Sequence, residues 1–224
     1  GEATGRELSL GDGAHVLTVT SHDAYNRTGE GLHKFTDPVD GKDYLYTQFE
    51  PAMAMKVFAG FDQPDLKATY KVSVTAPERY TVILNEAVTR TDNGDGTATW
   101  TTTIDYPLST YLVALCAGPY HEVTDTWRGE LTAHPEGKPA QKLEVPLGIY
   151  CRASLAHALD AERLFTETKQ GFDFYHRNFG FPYPFGKYDQ IFVPEFNAGA
   201  MENAGCVTIR DEYVFTSQAT HYKY

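Results

Sequence analysis

The first part of the chain contains short runs in which apolar and polar residues alternate. Tyr70, Val72 and Val74 alternate with polar neighbours, which is the period of a half-buried β-strand. Further β-rich runs cover residues 80–84, 111–116 and 143–150. Turn signals separate these runs, so the pattern predicts a mainly β domain built as a large curved sheet or a β-sandwich-like structure.

A cluster of turn residues marks one connection between strands. Asn93-Gly94-Asp95-Gly96 lies between the runs 87–89 and 97–104. Asn-Gly and Asp-Gly pairs tolerate the positive φ angles of tight turns, so we predict a β-hairpin here. The cluster also resembles part of a calcium-binding loop, but it lacks the spacing to a terminal Glu.

The pattern changes near residue 152. Between Ser154 and about Asn178 the chain contains no proline and a single glycine. Ser154 is a suitable N-cap, and Gly180 with the prolines after it is a typical helix stop. We predict one helix over residues 154–178, about 37 Å long at 1.5 Å per residue. Its predicted apolar stripe contains Leu155, Leu159, Phe165, Phe172, Tyr175 and Phe179.

Strand patterns resume after this helix, at residues 188–193 and 206–209. A long helix followed by strands is typical of an α+β unit with a mixed sheet. We therefore place a domain boundary near residue 150, with a β-domain over residues 1–150 and a second domain opening over residues 151–224.

Composition and charge exclude several classes of protein. The chain has 224 residues, of which 42% are hydrophobic and 22% charged, which is ordinary for a globular protein. The net charge of −11 argues against a nucleic-acid binder. No apolar run approaches the roughly 18 residues of a membrane span, so we expect no membrane partner. The three cysteines are too far apart for a C-x-x-C pair, which favours reduced, buried thiols and a cytoplasmic protein.

The most informative stretch is Gly199-Ala200-Met201-Glu202-Asn203. Glycine and alanine let another backbone approach closely, so an extended segment here could present a strand edge to a peptide. Glu202 would place a carboxylate beside that edge, where it could bind the protonated α-amino group of the peptide. The residues alone leave open a second interpretation, a glycine-rich turn with a solvated Glu202.

Three ordered blocks resemble the aminopeptidase N-like zinc metallopeptidases, and among them the bacterial members of actinobacterial type. The five-residue stretch above, preceded by residues 188–190 and 194–196, resembles the exopeptidase motif of that family. Residues 26–33 resemble a loop of its N-terminal β-domain, and residues 46–51 with 61–68 resemble its second substrate-contacting segment. The resemblance implies an N-terminal β-domain that is incomplete at its start, followed by the truncated opening of a thermolysin-like catalytic domain.

The resemblance also implies individual roles in binding peptide substrates that have a free N-terminus. Glu202 and Glu50 would bind the α-ammonium group from two sides, with Gln48 beside them lining the first specificity pocket. The backbone at Gly199 and Ala200 would hydrogen-bond the substrate main chain. Met201 would line the pocket for the first side chain, and Asn203 would be structural.

The family hydrolyses peptides with zinc held by H-E-x-x-H on a helix that follows the exopeptidase motif, and this chain lacks that pattern. No two of its eight histidines lie four residues apart. They are His15, His22, His33, His121, His134, His157, His176 and His221. The resemblance thus implies zinc for the intact protein, with its ligands and general base beyond Tyr224. We expect no catalytic residue and no metal ligand in this chain, and no activity from it alone.

Simpler interpretations apply to the other candidate residues. His157 and His176 do not share a helix face, so surface or core-edge positions are favoured over metal binding. His121 and His134 are predicted to flank a polar loop. The aromatic stretch 172–185 is interpreted as core rather than as a stacking platform.

Two other functions stay open beside the aminopeptidase. One is a non-catalytic relative that serves as a β-rich peptide- or protein-interaction module, and the other is a carbohydrate-binding sandwich. An H-E-x-x-H motif in the sequence after Tyr224 would discriminate the enzyme from the module.

Overall fold

The computed structural model describes residues 9–131 and 140–217, and this part of the chain contains three sheets and one long helix. The first two sheets come from the β-rich part of the sequence, and a mixed sheet combines two strands before the helix with three after it. The predicted fold class is therefore confirmed. Two of the histidines considered above, His134 and His221, lie outside the described residues.

The first sheet has four antiparallel strands, and its order is β1 (Gly31–Thr36), β2 (Asp43–Gln48), β7 (Leu115–Gly118) and β4 (Thr81–Leu84). Strands β1 and β2 form a hairpin in which Gly31 pairs with Gln48 and Thr36 pairs with Asp43. The strand predicted over residues 111–116 is misplaced. Residues 110–112 form a 3-10 turn instead, and pairing begins only at Leu115.

The second sheet contains the predicted hairpin, and its order is β3 (Ala68–Pro77), β6 (Thr97–Leu108) and β5 (Thr89–Asp92). The Asn93 N–H donates to the Thr97 carbonyl across the turn. Gly94 and Gly96 have φ angles of 75° and 85°, which explains why glycine occupies both positions.

The third sheet is mixed, and its order is β11 (Ala200–Met201), β12 (Cys206–Arg210), β10 (Tyr188–Val193), β9 (Gln141–Cys151) and β8 (His121–Leu131). Strand β10 is parallel to both of its neighbours. This sheet takes strands from both sides of residue 150, and the domain boundary placed there stays a prediction.

Strand β8 corrects the prediction of a polar loop beginning at His121. Val123, Trp127 and Leu131 lie on one face of the strand, and Trp127 and Leu131 are buried. The strand pairs with β9 along its whole length, from His121 opposite Cys151 to Leu131 opposite Gln141. Residues 122, 124, 126, 128 and 130 are the polar other face of a strand rather than a loop.

The long helix, α1 (Ala161–Phe179), begins seven residues later than predicted. Its N-cap is Asp160, whose side chain accepts the Arg163 N–H, and residues 153–158 form a separate 3-10 helix. The Ser154 hydroxyl donates to the Asp37 carboxylate, so it does not cap a helix. The 19 residues of α1 span about 28 Å at 1.5 Å per residue. The predicted end is confirmed, because Gly180 is left-handed with φ 63°.

The face of α1 that contacts the mixed sheet is narrower than the predicted stripe. Phe165, Phe172 and His176 are buried, whereas Tyr175 and Phe179 are exposed. Helical geometry explains the difference for Tyr175, which lies about 80° around the helix from Phe165 at 100° per residue. The buried part of the aromatic stretch is core, as predicted, with Phe172 against Trp127, Tyr183 and Tyr188.

A buried ion pair lies where β10 begins. The Lys187 ammonium donates to Asp189 Oδ2 at 2.6 Å and to the Gly205 carbonyl at 3.0 Å. Both side chains are almost fully buried. Burial raises the pKa of Asp189, although the Lys187 charge opposes that shift. Because Gly205 immediately precedes β12, this pair links the central strand β10 to its neighbour β12.

We expect Lys187→Met to destabilise the fold by about 3–5 kcal/mol, because it leaves a buried carboxylate without its cation. Urea denaturation followed by tryptophan fluorescence measures this loss. The double variant Lys187→Met/Asp189→Leu is the control and should recover most of the stability. Equal stability of the Lys187→Met protein and the wild type would show that the ion pair does not contribute.

Candidate functional site

The five-residue stretch found in the sequence lies at the edge of the mixed sheet. Ala200 pairs with Ile209 and Met201 pairs with Thr208, and the Arg210 N–H donates to the Gly199 carbonyl at 3.0 Å. In the part of the chain that the structure describes, β11 has a partner strand on one side only. Because backbone groups alternate in direction along a strand, those of Ala200 face away from the sheet, where an extended peptide could pair with them.

The side chains of this stretch alternate between core and solvent. Met201 is 1% exposed and packs in the same core cluster as Tyr46, Ile191 and Phe196. Ala200 and Glu202 are exposed on either side of it. Met201 therefore anchors the edge strand, and its predicted contact with a substrate side chain stays a prediction.

Asn203 ends the stretch. Its side chain is buried, and its amide donates to Thr208 Oγ1 at 3.3 Å, across the turn between β11 and β12. Gly205 follows with φ 67°, and a Cβ there would lie 2.1 Å from the Asn85 carbonyl oxygen. Glycine is thus required on both steric and conformational grounds.

Strand β2, which contains part of the second predicted segment, contacts the loop that precedes this edge. The Tyr46 hydroxyl donates to the Glu195 carbonyl at 3.2 Å, and its ring lies 5.6 Å from that of Phe196. Gln48 ends β2, and the exposed Glu50 follows two residues later. Tyr46 thus joins the two segments, whereas no hydrogen bond among the described residues joins the side chains of Gln48, Glu50 and Glu202.

Gln48 has an unusual polar atom. Its side-chain Oε1 is buried and has no hydrogen-bond partner within the described ranges. A buried acceptor without a donor costs about 1–3 kcal/mol. A ligand that brings an N–H group to this atom would recover that free energy.

His33 and Glu195 are site residues that the sequence analysis missed. The Gly29 N–H donates to His33 Nδ1, so the proton of the neutral ring is on Nε2, which donates to Glu195 Oε2 at 3.0 Å. His33 is fully buried, and this desolvation lowers its pKa although Glu195 opposes the shift. The block 26–33 was identified by resemblance, but nothing in it indicated a partner 162 residues away.

Asn85 and Asn197 make further hydrogen bonds near the site that the sequence did not indicate. The buried Asn85 amide donates to the carbonyls of Leu112 and Ala204, and its Oδ1 accepts the Ala114 N–H. The Asn197 amide donates to the Thr28 carbonyl at 2.8 Å. The segment from Glu195 to Gly205 is therefore bonded to the first sheet and its loops at both ends.

The described residues do not fit a zinc site. Nowhere in residues 9–131 and 140–217 do three His, Cys, Asp or Glu side chains lie close enough together to hold a metal ion. The buried His176 has a structural role, because Nδ1 donates to the Phe172 carbonyl and Nε2 accepts the Tyr183 N–H. Among the described helices, none has the length and apolar character needed to cross a membrane.

Comparison with known protein families shows which class of protein this chain belongs to. The family models described as "Peptidase M1 N-terminal domain" and "Peptidase family M1 domain" match residues 7–112 and 164–223. The chain belongs to peptidase family M1.

Relatives of known name agree with this assignment. Aminopeptidase N of Streptomyces lividans is 51% identical over 212 residues, which are 95% of this chain and 23% of that protein. Glutamyl aminopeptidase of Homo sapiens is 33% identical over 91% of this chain and 20% of its own length. Aminopeptidase N of Acetobacter pasteurianus is 31% identical over 89% of this chain and 53% of its own length. The chain thus spans only part of the relatives that it matches.

The burial of neutral His33 predicts a pH dependence of stability. The groups around its ring are Glu195, Arg27 and Tyr46. Because the folded-state pKa is lowered from 6.5, the unfolded chain binds a proton first as the pH falls. The free energy of unfolding should therefore decrease as the pH drops from 6.5 toward the lower folded-state value.

Chemical denaturation between pH 7.5 and pH 5, from about one unit above to about one and a half units below the ordinary His pKa, tests this. We expect His33→Asn, which keeps an acceptor but cannot titrate, to lose less stability over that range than the wild type. His22→Asn, a change at an exposed histidine, is the matched control and should keep the wild-type slope. Parallel slopes for all three proteins would contradict the prediction.

Proposed function

We propose that the chain is the N-terminal β-domain and the opening of the catalytic domain of a zinc aminopeptidase, in which this region binds the free α-amino group of peptide substrates. Membership of peptidase family M1 and the names of its relatives support the reaction class. The observation that supports the binding role is the exposed backbone edge at residues 199–201, which Glu202 directly follows.

The substrate main chain would extend the mixed sheet at β11. The backbone groups of Ala200 face away from β12 and would supply hydrogen bonds, whereas the predicted bond from Gly199 would share a carbonyl that already accepts the Arg210 N–H. The small Ala200 side chain leaves room for the guest strand. Met201 keeps the edge in place from the core side. This arrangement recognises any peptide backbone, so it contributes affinity without sequence preference.

The α-ammonium group would provide the selectivity. It has three N–H donors, and this site offers three acceptors: the carboxylates of Glu202 and Glu50, and Gln48 Oε1. Charged hydrogen bonds of this kind contribute about 1.5–3 kcal/mol each. A peptide whose amino group is acetylated has lost the charge and two of the donors, so it would leave the carboxylates unpaired.

Hydrolysis needs more than the described residues provide. Since these residues do not form a metal site, the zinc ligands and the general base would come from other parts of the intact protein. A non-catalytic interaction module would share the binding step proposed here and lack the hydrolysis. Cytoplasmic location likewise stays a prediction.

We expect Glu202→Gln and Glu50→Gln to reduce kcat/KM for free-amine peptides by about 10- to 150-fold each in the full-length protein, because each removes one charged hydrogen bond to the ammonium group. Steady-state hydrolysis of an aminoacyl-p-nitroanilide measures the effect, and its N-acetylated form should not be cleaved.

Glu78→Gln is the matched control, because Glu78 is an exposed acid on the turn after β3, in a different sheet from β11. It should keep wild-type kinetics. Wild-type turnover in both Glu202→Gln and Glu50→Gln would refute the proposed recognition of the amino group, and a full-length protein that binds peptides without cleaving them would favour the interaction module.

A further inference from the structure

Glu195 has a backbone conformation that its residue type disfavours. Its φ is 54°, and among the described residues every other positive φ belongs to a glycine. The left-handed region is unfavourable for a residue with a Cβ, and such residues persist where the surrounding structure fixes them. Glu195 lies in the loop between β10 and β11, six residues before Met201.

Two buried donors of the first sheet hold this residue. His33 Nε2, on β1, donates to the Glu195 carboxylate, and the Tyr46 hydroxyl, on β2, donates to the Glu195 carbonyl. The two donor residues are fully buried, whereas the Glu195 side chain is 57% exposed. The carboxylate therefore lies at the rim of the site and is tied to rigid groups beneath it.

The His33 ring can donate in this way because its other nitrogen is already occupied. The Gly29 N–H donates to Nδ1, which fixes the proton on Nε2. The loop that contains Gly29 is itself bonded to the segment of Glu195, since the Asn197 amide donates to the Thr28 carbonyl. A Cβ at Gly29 would lie 2.4 Å from Asn197 Nδ2, so the two loops are in close contact.

We propose that Glu195 is a positioning residue, clamped by His33 and Tyr46, that fixes the loop 194–199 and thereby aims the exposed edge of β11 and the Glu202 carboxylate at the substrate. This inference rests on the proposed function. Glu195 acts through the backbone of β11 and does not touch the substrate. Gln48 and Glu50 belong to β2 and the residues after it, so their positions do not depend on the clamp.

The clamp predicts a particular kinetic defect. Without it, the edge strand would no longer hold the scissile part of the substrate in place, and a displacement of about 1 Å costs about 100-fold in rate. We expect Glu195→Ala and Glu195→Gly to lower kcat by about 10- to 100-fold in the full-length protein. KM should also rise, because β11 and Glu202 contribute to binding, but by a smaller factor than the fall in kcat, because binding by Glu50 and Gln48 is kept.

Two variants separate positioning from other roles. Glu195→Gly permits the left-handed backbone but lacks the carboxylate, so its defect cannot be ascribed to backbone strain. Glu195→Gln keeps an acceptor for His33 Nε2 and should restore kcat to within about 3-fold of the wild type, since both hydrogen bonds of the clamp are retained, whereas the Ala and Gly variants keep only the Tyr46 bond to the backbone carbonyl. Hydrogen exchange followed by mass spectrometry should show faster exchange over residues 195–203 in the Gly and Ala variants only.

The outcomes are distinct from those for the proposed function. If Glu202→Gln and Glu50→Gln lose activity while Glu195→Ala and Glu195→Gly keep wild-type kcat and exchange, the clamp alone is refuted. If Glu195→Gln is as defective as Glu195→Ala, the carboxylate charge acts directly, and a positioning role is also refuted. If the Glu195 variants unfold at lower temperature but the folded protein keeps kcat and KM, the contact is structural only.

Discussion

The site depends on the hydrogen bonds that tie the segment 195–205 to the first sheet. Strand β11 has only two residues, and a pairing so short cannot fix its own position. Its position is set from outside, by His33 and Tyr46 before the strand and by Asn85 after it. Each of these three side chains is fully buried, so water does not compete for these hydrogen bonds. They therefore hold the segment in one position relative to the first sheet.

Buried charge joins the same two sheets at a second place. Arg152 follows β9 and donates to Asp37, after β1, and to Asp211, after β12. Burial raises the pKa of Asp211 against the effect of Arg152, and burial likewise opposes ionisation of Asp37, where hydrogen bonds from Ser154, Val39 and Arg152 prevail and lower the pKa. Forming an ion pair with so little access to solvent costs free energy, and removing one partner would cost more, because it would leave a buried charge unpaired between the two sheets.

Sequence patterns predicted those elements whose signals are local. The hairpin at Asn93–Gly96, the strand 188–193 and the helix end at Gly180 each depend on residues within a few positions of one another. The start of α1 was missed because Ser154 is a good cap by type, and only its bond to Asp37 shows that its hydroxyl is used elsewhere. Strand β8 was missed because its outer face is polar. Resemblance indicated the residues of the edge strand, but Glu195 and Asn85 gain their roles from partners far away in the sequence, which local patterns do not report.

The short length of strand β11 also affects how readily this edge can pair with another copy of the chain. An open strand edge tends to recruit strands from other molecules, and proteins counter this with short edges and charged residues. Here the open edge is two residues long and ends at the exposed carboxylate of Glu202. At this edge a neighbouring copy would therefore find only two residues of backbone to pair with, next to a negative charge.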